Sequence, residues 1–179
     1  MKQQVLSFWF EELSPEQWFK SSLELDETIR SRFAPLLQQA MRGELENWRD
    51  TAEGRLAEII VLDQFSRNIH RGTPQAFAAD PVALALSQEA VRAGTLKQLE
   101  KVEQRDFLLL PFMHSESALI QQQALPLFKE HTSPGCYQAA LQHKAIIDRF
   151  GHYPHRNAIL GRNSTAEELE FLQQPGSSF

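Results

Sequence analysis

A chain of 179 residues with 42% apolar and 23% charged side chains has the length and composition of one globular domain with a substantial core. Its formal net charge of −5 argues against a general nucleic-acid-binding protein. Its single cysteine, Cys136, excludes an intramolecular disulfide and a multi-thiolate metal site. No apolar stretch approaches the ~20 residues that span a bilayer, and no signal peptide is evident. We therefore expect a soluble, cytoplasmic protein that contacts no membrane.

Helix signals dominate the chain from its N-terminus onward, and no window shows the alternation typical of a strand. Capping residues that precede a proline or complete a capping box predict helix starts at Ser14, Asp80, Ser133 and Ser164. Gly94 and Gly151 are expected to end two of these helices. Together with the apolar periodicity, these signals predict helices at 2–12, 15–20, 25–42, 53–70, 81–93, 101–110, 112–130, 134–150 and 165–173.

Three prolines fall within the predicted helical regions. Pro35 is expected to kink or divide the helix at 25–42, because an interior proline removes a hydrogen bond and clashes with the preceding turn. Pro111 and Pro126 raise the same expectation in the region 101–130.

The domain organisation is expected to be simple. Short connections between helices favour antiparallel neighbours, which predicts an all-α fold. No self-similarity with a period of about 34 residues is visible, so the sequence alone does not establish a regular repeat. We predict a single domain over residues 1–172 and a flexible C-terminal tail over 173–179. The aromatic residues 8–10, with Trp18 and Phe19, are expected in the core rather than in a homodimer contact.

The predicted helix at 53–70 carries the first of three polar clusters. Its apolar residues fall on two faces, so we expect it to be buried, with Asp63 and Arg67 pointing into the protein. At positions i and i+4 these side chains can pair, and burial makes pairing obligatory. The pair either fixes the helix or serves a ligand. In the second case Asp63 orients Arg67 or Arg71 toward a carboxylate or phosphate, and Asn68 adds hydrogen bonds from its amide.

The second cluster, His114 to Glu116, follows a strongly apolar run. The two side chains could act as general base and acid, because burial moves both pKa values toward neutrality. On a continuous helix, residues two positions apart diverge by about 200°, which argues against a shared metal ion. The structural alternative is that His114 binds a carbonyl group and Glu116 meets an arginine.

The third cluster lies in the loop that follows Gly151. If Asn157 caps a short helical turn, backbone N–H groups there would join Arg156 and Arg162 in binding an anion. The alternative is a loop whose hydrogen bonds only hold the neighbouring helices. His143, on the apolar face of the preceding helix, is expected to be a core residue.

Several motifs in these clusters resemble those of the bacterial family called domain of unknown function 924. The matching segments are 8–10, 62–68, 76–80, 114–116, 149–157 and 160–162. Ser66, His152 and Tyr153 stand where the family pattern has Pro, Arg and Phe. The resemblance covers nearly the whole chain and implies an all-helical, tetratricopeptide-like fold. It implies no activity, because the family's function is unassigned.

We therefore predict an all-α, tetratricopeptide-like antiparallel helical array with one polar pocket that binds a small carboxylated or phosphorylated ligand, as an enzyme or a sensor. No cofactor, metal ion or nucleic acid is predicted. Proton transfer is assigned to His114, Glu116 and His155. Ligand binding is assigned to Asp63, Arg67, Asn68, Arg71, Arg156, Asn157 and Arg162. The alternative is an adaptor whose arginines bind an acidic peptide or protein partner. An enclosed cavity would favour the first function, and an open groove the second.

Overall fold

The computed structural model describes residues 1–178, and within that range the chain is helical and has no strand. The all-α prediction is confirmed. The α-helices, in chain order, are α1 (Lys2–Ser7), α2 (Pro15–Phe19), α3 (Leu23–Met41), α4 (Ala52–Ile60), α5 (Ser66–Ile69), α6 (Asp80–Arg92), α7 (Thr95–Gln98), α8 (Val102–His114), α9 (Ala118–His131), α10 (Pro134–Phe150), α11 (Asn157–Leu160) and α12 (Ala166–Phe171). Two π-helical turns, Phe8–Glu12 and Val61–Phe65, and three 3₁₀ segments, Glu46–Asp50, Pro74–Phe77 and Pro154–Arg156, lie between them.

Two of the predicted helix starts are confirmed in detail. The backbone N–H of Ser14 donates to Oε1 of Gln17 at 2.8 Å at the start of α2. The hydroxyl of Ser133 accepts from the backbone N–H of Cys136 at 3.2 Å at the start of α10. Gly151 ends α10 in the left-handed conformation, with φ of 75°, as predicted from the preference for glycine at the C-terminal end of a helix.

The other two predicted starts are wrong by one residue. Helix α6 is capped by Ala79, and Asp80 is its first residue, so the Asp80 carboxylate is not used as a cap. Helix α12 is capped by Thr165 instead of Ser164, because Glu168 completes the capping box through the backbone N–H of Thr165 at 2.7 Å.

The three interior prolines do not divide their helices. Pro35 lies inside α3 and Pro126 inside α9, and the predicted break at Pro111 is wrong, because α8 continues to His114. Tertiary packing outweighs the ~3 kcal/mol cost of an interior proline. Every side chain from 107 to 113 is buried, and the hydroxyl of Ser87 donates to the carbonyl of Leu108, three residues before Pro111.

The core is centred on α4, the π-helical turn that follows it, and α8. Helix α4 contacts α1, α6 and α8, while α8 also contacts α9 and α10. Leu56, Ile60 and Leu108 are completely buried. Because residues 56–65 and 107–113 are all buried, the polar side chains that these segments carry must find partners within the protein.

The aromatic residues near the N-terminus belong mainly to this core. Phe8 and Trp9 are buried, which confirms the prediction for them. Phe19 is the exception, since 76% of its surface is exposed although its ring stacks on Phe107 with centroids 6.2 Å apart. The alternative, a homodimer contact through these aromatic residues, is untested.

The C-terminal residues 173–178 form turns, and the hydroxyl of Ser177 donates to the carbonyl of Leu172 at 3.1 Å. The predicted flexible tail also includes Phe179, which lies outside the described residues. Over residues 1–178 no helix has the length and apolar character required to cross a membrane. The tetratricopeptide-like arrangement stays a prediction.

Candidate functional site

A cleft of about 390 Å³ lies where the start of α6, the end of α8 and the segment before α11 meet. Its polar lining is made of Asp80, His114, Ser115, Glu116 and Arg156. Four of these five residues come from the second and third polar clusters of the sequence, although the clusters are far apart along the chain.

Asp63 lies behind the cleft, on the π-helical turn Val61–Phe65. The sequence predicted one continuous helix over 53–70, whereas the structure inserts this wider turn between α4 and α5. Such turns are rare and occur frequently at functional sites. The Asp63 side chain is 1% exposed, and its Oδ1 lies 2.7 Å from Nδ1 of His114. A buried carboxylate therefore contacts one ring nitrogen of a histidine that lines the cleft.

Arg67 connects this pair to a second carboxylate. Its Nη1 lies 3.3 Å from Oδ1 of Asp63, which confirms the expected i, i+4 pair, and also donates to the backbone carbonyl of Asp63 at 2.6 Å. The same guanidinium donates two hydrogen bonds to Asp80, at 2.9 and 3.0 Å. Arg67 thus has its charge balanced by two aspartates and has little capacity left for a ligand.

Arg156 reaches the cleft from the other side and is poorly paired. Its Nη2 donates to the carbonyl of His114 at 3.1 Å, and its Nη1 lies 3.4 Å from Oδ2 of Asp80. Its Nε has no hydrogen-bond partner within residues 1–178. The guanidinium packs over the rings of Phe77 and Tyr153, at 4.5 and 4.8 Å from their centroids. Arg156 is therefore a buried cation held by aromatic rings and two long hydrogen bonds.

The electrostatic environment sets the protonation of the Asp63–His114 pair. Burial lowers the pKa of His114, and the charge of Arg67 lowers it further, against the opposing effect of Asp63. Burial acts to raise the pKa of Asp63, but the neighbouring positive charge and the hydrogen bonds from His114 and Gln64 outweigh it, so the pKa is lowered. At neutral pH the pair is an ionised carboxylate and a neutral imidazole.

Glu116 and Arg162 form a separate ion pair at the rim of the cleft. Arg162 donates to both carboxylate oxygens, at 2.8 and 3.0 Å, and the backbone N–H of Tyr153 donates to Glu116 at 2.8 Å. Burial acts to raise the pKa of Glu116, but these hydrogen bonds and the nearby arginines lower it. An ionised, arginine-bound Glu116 fits the structural alternative better than the role of general acid.

His114 and Glu116 do not lie on one continuous helix, as their predicted divergence required, because α8 ends at His114 and Ser115 adopts an extended conformation. The carbonyl groups at this end are bound by side chains: Gln121 donates to Met113 and Ser115 at 2.8 and 2.9 Å. Both side chains consequently line the same cleft.

Asn68 and Arg71 do not line the cleft. Both bind Asp26 on α3: the Asn68 amide donates at 2.8 Å, and Arg71 donates two hydrogen bonds at 2.6 and 2.8 Å. Burial acts to raise the pKa of Asp26, but these hydrogen bonds outweigh it and lower the pKa. The two residues therefore join α5 and its C-terminal turn to α3, and their contacts are those of a structural link.

Asn157 is the first residue of α11 and not its cap, so the expected anion site at the start of that helix does not form. Its side chain accepts from Nε of Arg162 at 2.9 Å and donates to Ser164 at 3.1 Å. His155 does not line the cleft, and its ring lies 5.8 Å from that of Tyr153. Burial and the charge of Arg156 lower the pKa of His155 to about 4.

His143 is buried, as expected of a core residue, and its Nδ1 lies 2.7 Å from the carbonyl of Ala139.

The sequence argument missed Asp80 and Phe77 as site residues. Asp80 was predicted to use its carboxylate as a helix cap, so no arginine partner was expected for it. In the structure the carboxylate contacts Arg67 and Arg156. The sequence signal that could have identified them was the match of segment 76–80, which contains both residues, to the family pattern. The described residues include no group of three or more His, Cys, Asp or Glu side chains arranged to hold a metal ion.

Comparisons with known proteins agree with this fold. Residues 5–176 match the family model described as "Bacterial protein of unknown function (DUF924)". A solved structure of a protein of unknown function from Agrobacterium tumefaciens is similar, with 36% sequence identity, 96% of each chain covered and a TM-score of 0.90. No curated protein shows significant similarity to the chain. These similarities assign no chemical activity.

Proposed function

Because the chain belongs to the bacterial DUF924 family, whose function is unassigned, we propose its function from the chemistry of the cleft. We propose an enzyme that binds a small molecule through an acidic group at Arg156 and moves a proton through His114. The single observation that carries the proposal is the 2.7 Å contact between buried Asp63 and a histidine that lines the cleft.

The Asp63–His114 pair has the features of a proton-transfer pair. With Asp63 ionised, Nδ1 of His114 carries the proton and donates a hydrogen bond to the carboxylate, which leaves Nε2 as the basic nitrogen. Nε2 takes part in no hydrogen bond among residues 1–178. A carboxylate in this position fixes the tautomer and orientation of the imidazole and stabilises the imidazolium that forms during reaction. His114 is thus suited to act as a general base at neutral pH.

Arg156 supports an acidic ligand, because a buried guanidinium with spare donors binds a carboxylate well. The adaptor alternative has less support. A clamp for an acidic peptide needs several unpaired cations, whereas Arg67, Arg71 and Arg162 are each bound by carboxylates. The volume of about 390 Å³ lies in the range of small-molecule sites, about 300–1,000 Å³.

The proposal is tested by a thermal-shift screen with small carboxylated and phosphorylated compounds, followed by chemical analysis of incubated hits. We expect a hit to stabilise the wild type and to lose that effect in Arg156→Met. Conversion of the hit should fall about 100-fold or more in His114→Gln. Equal stabilisation of the wild type and Arg156→Met refutes the binding site. A hit that binds at the cleft and is never converted refutes the enzyme and indicates a sensor.

The last part of the proposal concerns location in the cell. We propose a cytoplasmic location, which the single free cysteine, Cys136, supports because cytoplasmic thiols stay reduced. Burial raises the pKa of the Cys136 thiol to about 12, which suits an unreactive structural cysteine.

A further inference from the structure

We infer that the ligand of this cleft is a small monocarboxylate with an apolar body, and not a phosphorylated or polycarboxylated compound. The inference rests on the proposed function and narrows its substrate class. It follows from three features of the cleft: its balance of charge, the unused donors of Arg156 and the apolar character of one wall.

The charges around the cleft already balance. Three carboxylates and three guanidinium groups lie at or directly behind its surface: Asp63, Asp80, Glu116, Arg67, Arg156 and Arg162. With His114 neutral, no net positive charge is left to attract a polyanion. A ligand with two or three negative charges would also lie beside the carboxylates of Asp80 and Glu116, which line the cleft and repel it.

One cation nevertheless keeps unused hydrogen-bond donors. A guanidinium offers five N–H donors, and Arg156 uses two of them, in contacts of 3.1 and 3.4 Å. By contrast, Arg67 makes shorter contacts of 2.6, 2.9 and 3.0 Å with two aspartates. The cleft is therefore complementary to one anionic group, and a planar carboxylate matches the guanidinium fork.

Apart from its five polar residues, the lining of the cleft is apolar. Pro81, Leu84, Pro111 and Leu160 form one wall of it. This wall offers no side-chain hydrogen-bond donor or acceptor. A polar body such as a sugar would leave hydroxyl groups unpaired against it, whereas a hydrocarbon body gains from burial there. The carboxylate at Arg156 would place the adjoining part of the ligand near His114.

The test is a comparison of four probes by NMR chemical-shift titration of the ¹⁵N-labelled full chain. Hexanoate has both a single carboxylate and an apolar chain. Hexanamide has the chain but no charge, and inorganic phosphate and citrate have negative charge but no apolar body. We expect hexanoate to shift resonances of residues that line the cleft and to bind about tenfold or more tightly than each of the other three. This comparison needs no variant and is independent of folding defects.

Two variants test the two ends of the ligand. Arg156→Met should weaken hexanoate about tenfold or more while leaving hexanamide unchanged. Leu160→Asn should weaken hexanoate and hexanamide alike. Its matched control, Leu23→Asn, changes an 87% exposed leucine that does not line the cleft, and should leave both affinities unchanged. If Arg156→Met fails to fold, the Leu160→Asn comparison and the four probes still decide the outcome.

Different failures have different meanings. If phosphate or citrate binds at the cleft as tightly as hexanoate, the inferred substrate class is overturned and the proposed anion site stands. If none of the acidic probes, and no compound of the wider screen, shifts cleft resonances, the proposed function fails as well. A protein C-terminus also carries a carboxylate next to an apolar side chain, and a pentapeptide ending in leucine is the probe for it. If this peptide binds more tightly than hexanoate, the ligand is a protein C-terminus and the inferred small molecule is overturned.

Discussion

Replacing Asp63 should reduce stability strongly for a small change in shape. Asp63→Asn removes one negative charge and preserves the number of heavy atoms. The carboxylate now receives hydrogen bonds from His114 at 2.7 Å and from Gln64 at 2.5 Å, and lies 3.3 Å from Arg67. An asparagine amide offers one acceptor oxygen and places an N–H₂ group against one of these donors. The change therefore leaves buried donors without an acceptor.

The expected loss follows from the burial of Asp63 and from what its partners retain. Removing one partner of a buried ion pair costs about 3–5 kcal/mol. Arg67 keeps both hydrogen bonds to Asp80, at 2.9 and 3.0 Å, so we expect the lower end of that range, about 3 kcal/mol. The matched control is Asp148→Asn, which makes the same chemical change in an exposed i, i+4 pair with Lys144. It should cost about 0–1 kcal/mol.

Urea-induced unfolding at pH 7, followed by circular dichroism, measures both losses as changes in the free energy of unfolding. The slope of that free energy against urea concentration should stay unchanged, because the surface exposed on unfolding is the same. A loss below about 1 kcal/mol for Asp63→Asn, no larger than that of the control, would refute the reasoning. Such a result would mean that Asp63 does not hold Arg67 and His114 as a buried anion.

Three further predictions follow from the same contacts. Arg67→Met should raise the pKa of His114, because it removes a positive charge beside the ring, and an NMR titration of the histidine resonances measures the change. Asp26→Asn should lower the free energy of unfolding by about 1–3 kcal/mol in urea experiments, yet leave hexanoate binding unchanged, since Asp26 does not line the cleft. The free energy of unfolding should also fall as the pH drops from about 6.5 to 4. Burial lowers the folded-state pKa of His143 to about 3 and that of His155 to about 4, so only the unfolded chain takes up these protons in that window. Urea unfolding at several pH values checks this, and stability that stays constant between pH 6.5 and 4 contradicts it.

The features that the sequence could predict are those with a local cause. Apolar periodicity and capping residues predicted most helices, and the two apolar faces of the helix at 53–70 predicted that Asp63 is buried. The spacing of four residues predicted its ion pair with Arg67. Each of these relations lies within a few residues of the chain, where helix geometry fixes the distance between side chains.

The partners that the sequence could not supply are distant along the chain. Arg71 binds Asp26, 45 residues away, and Arg156 lies against Asp80, 76 residues away. No periodicity encodes such contacts, because they depend on how complete helices pack. The expectation that Arg71 and Arg156 share one ligand therefore could not be tested on the sequence. Only packing shows that Arg71 binds the carboxylate of Asp26, whereas Arg156 shares the carboxylate of Asp80 with Arg67.

The position where α8 ends shows how packing, and not propensity, sets the chemistry of the cleft. Continuing the helix past His114 would turn Glu116 away by about 200° and remove one of the two side chains from the cleft. The helix ends there because its last carbonyl groups already have partners. Gln121 and the hydroxyl of Tyr153 donate to Met113, and Arg156 donates to His114. These donors satisfy the groups that a helix end leaves unpaired. Arg156 therefore has two effects at once: it helps to fix the helix end that presents His114, and its side chain lines the same cleft as His114.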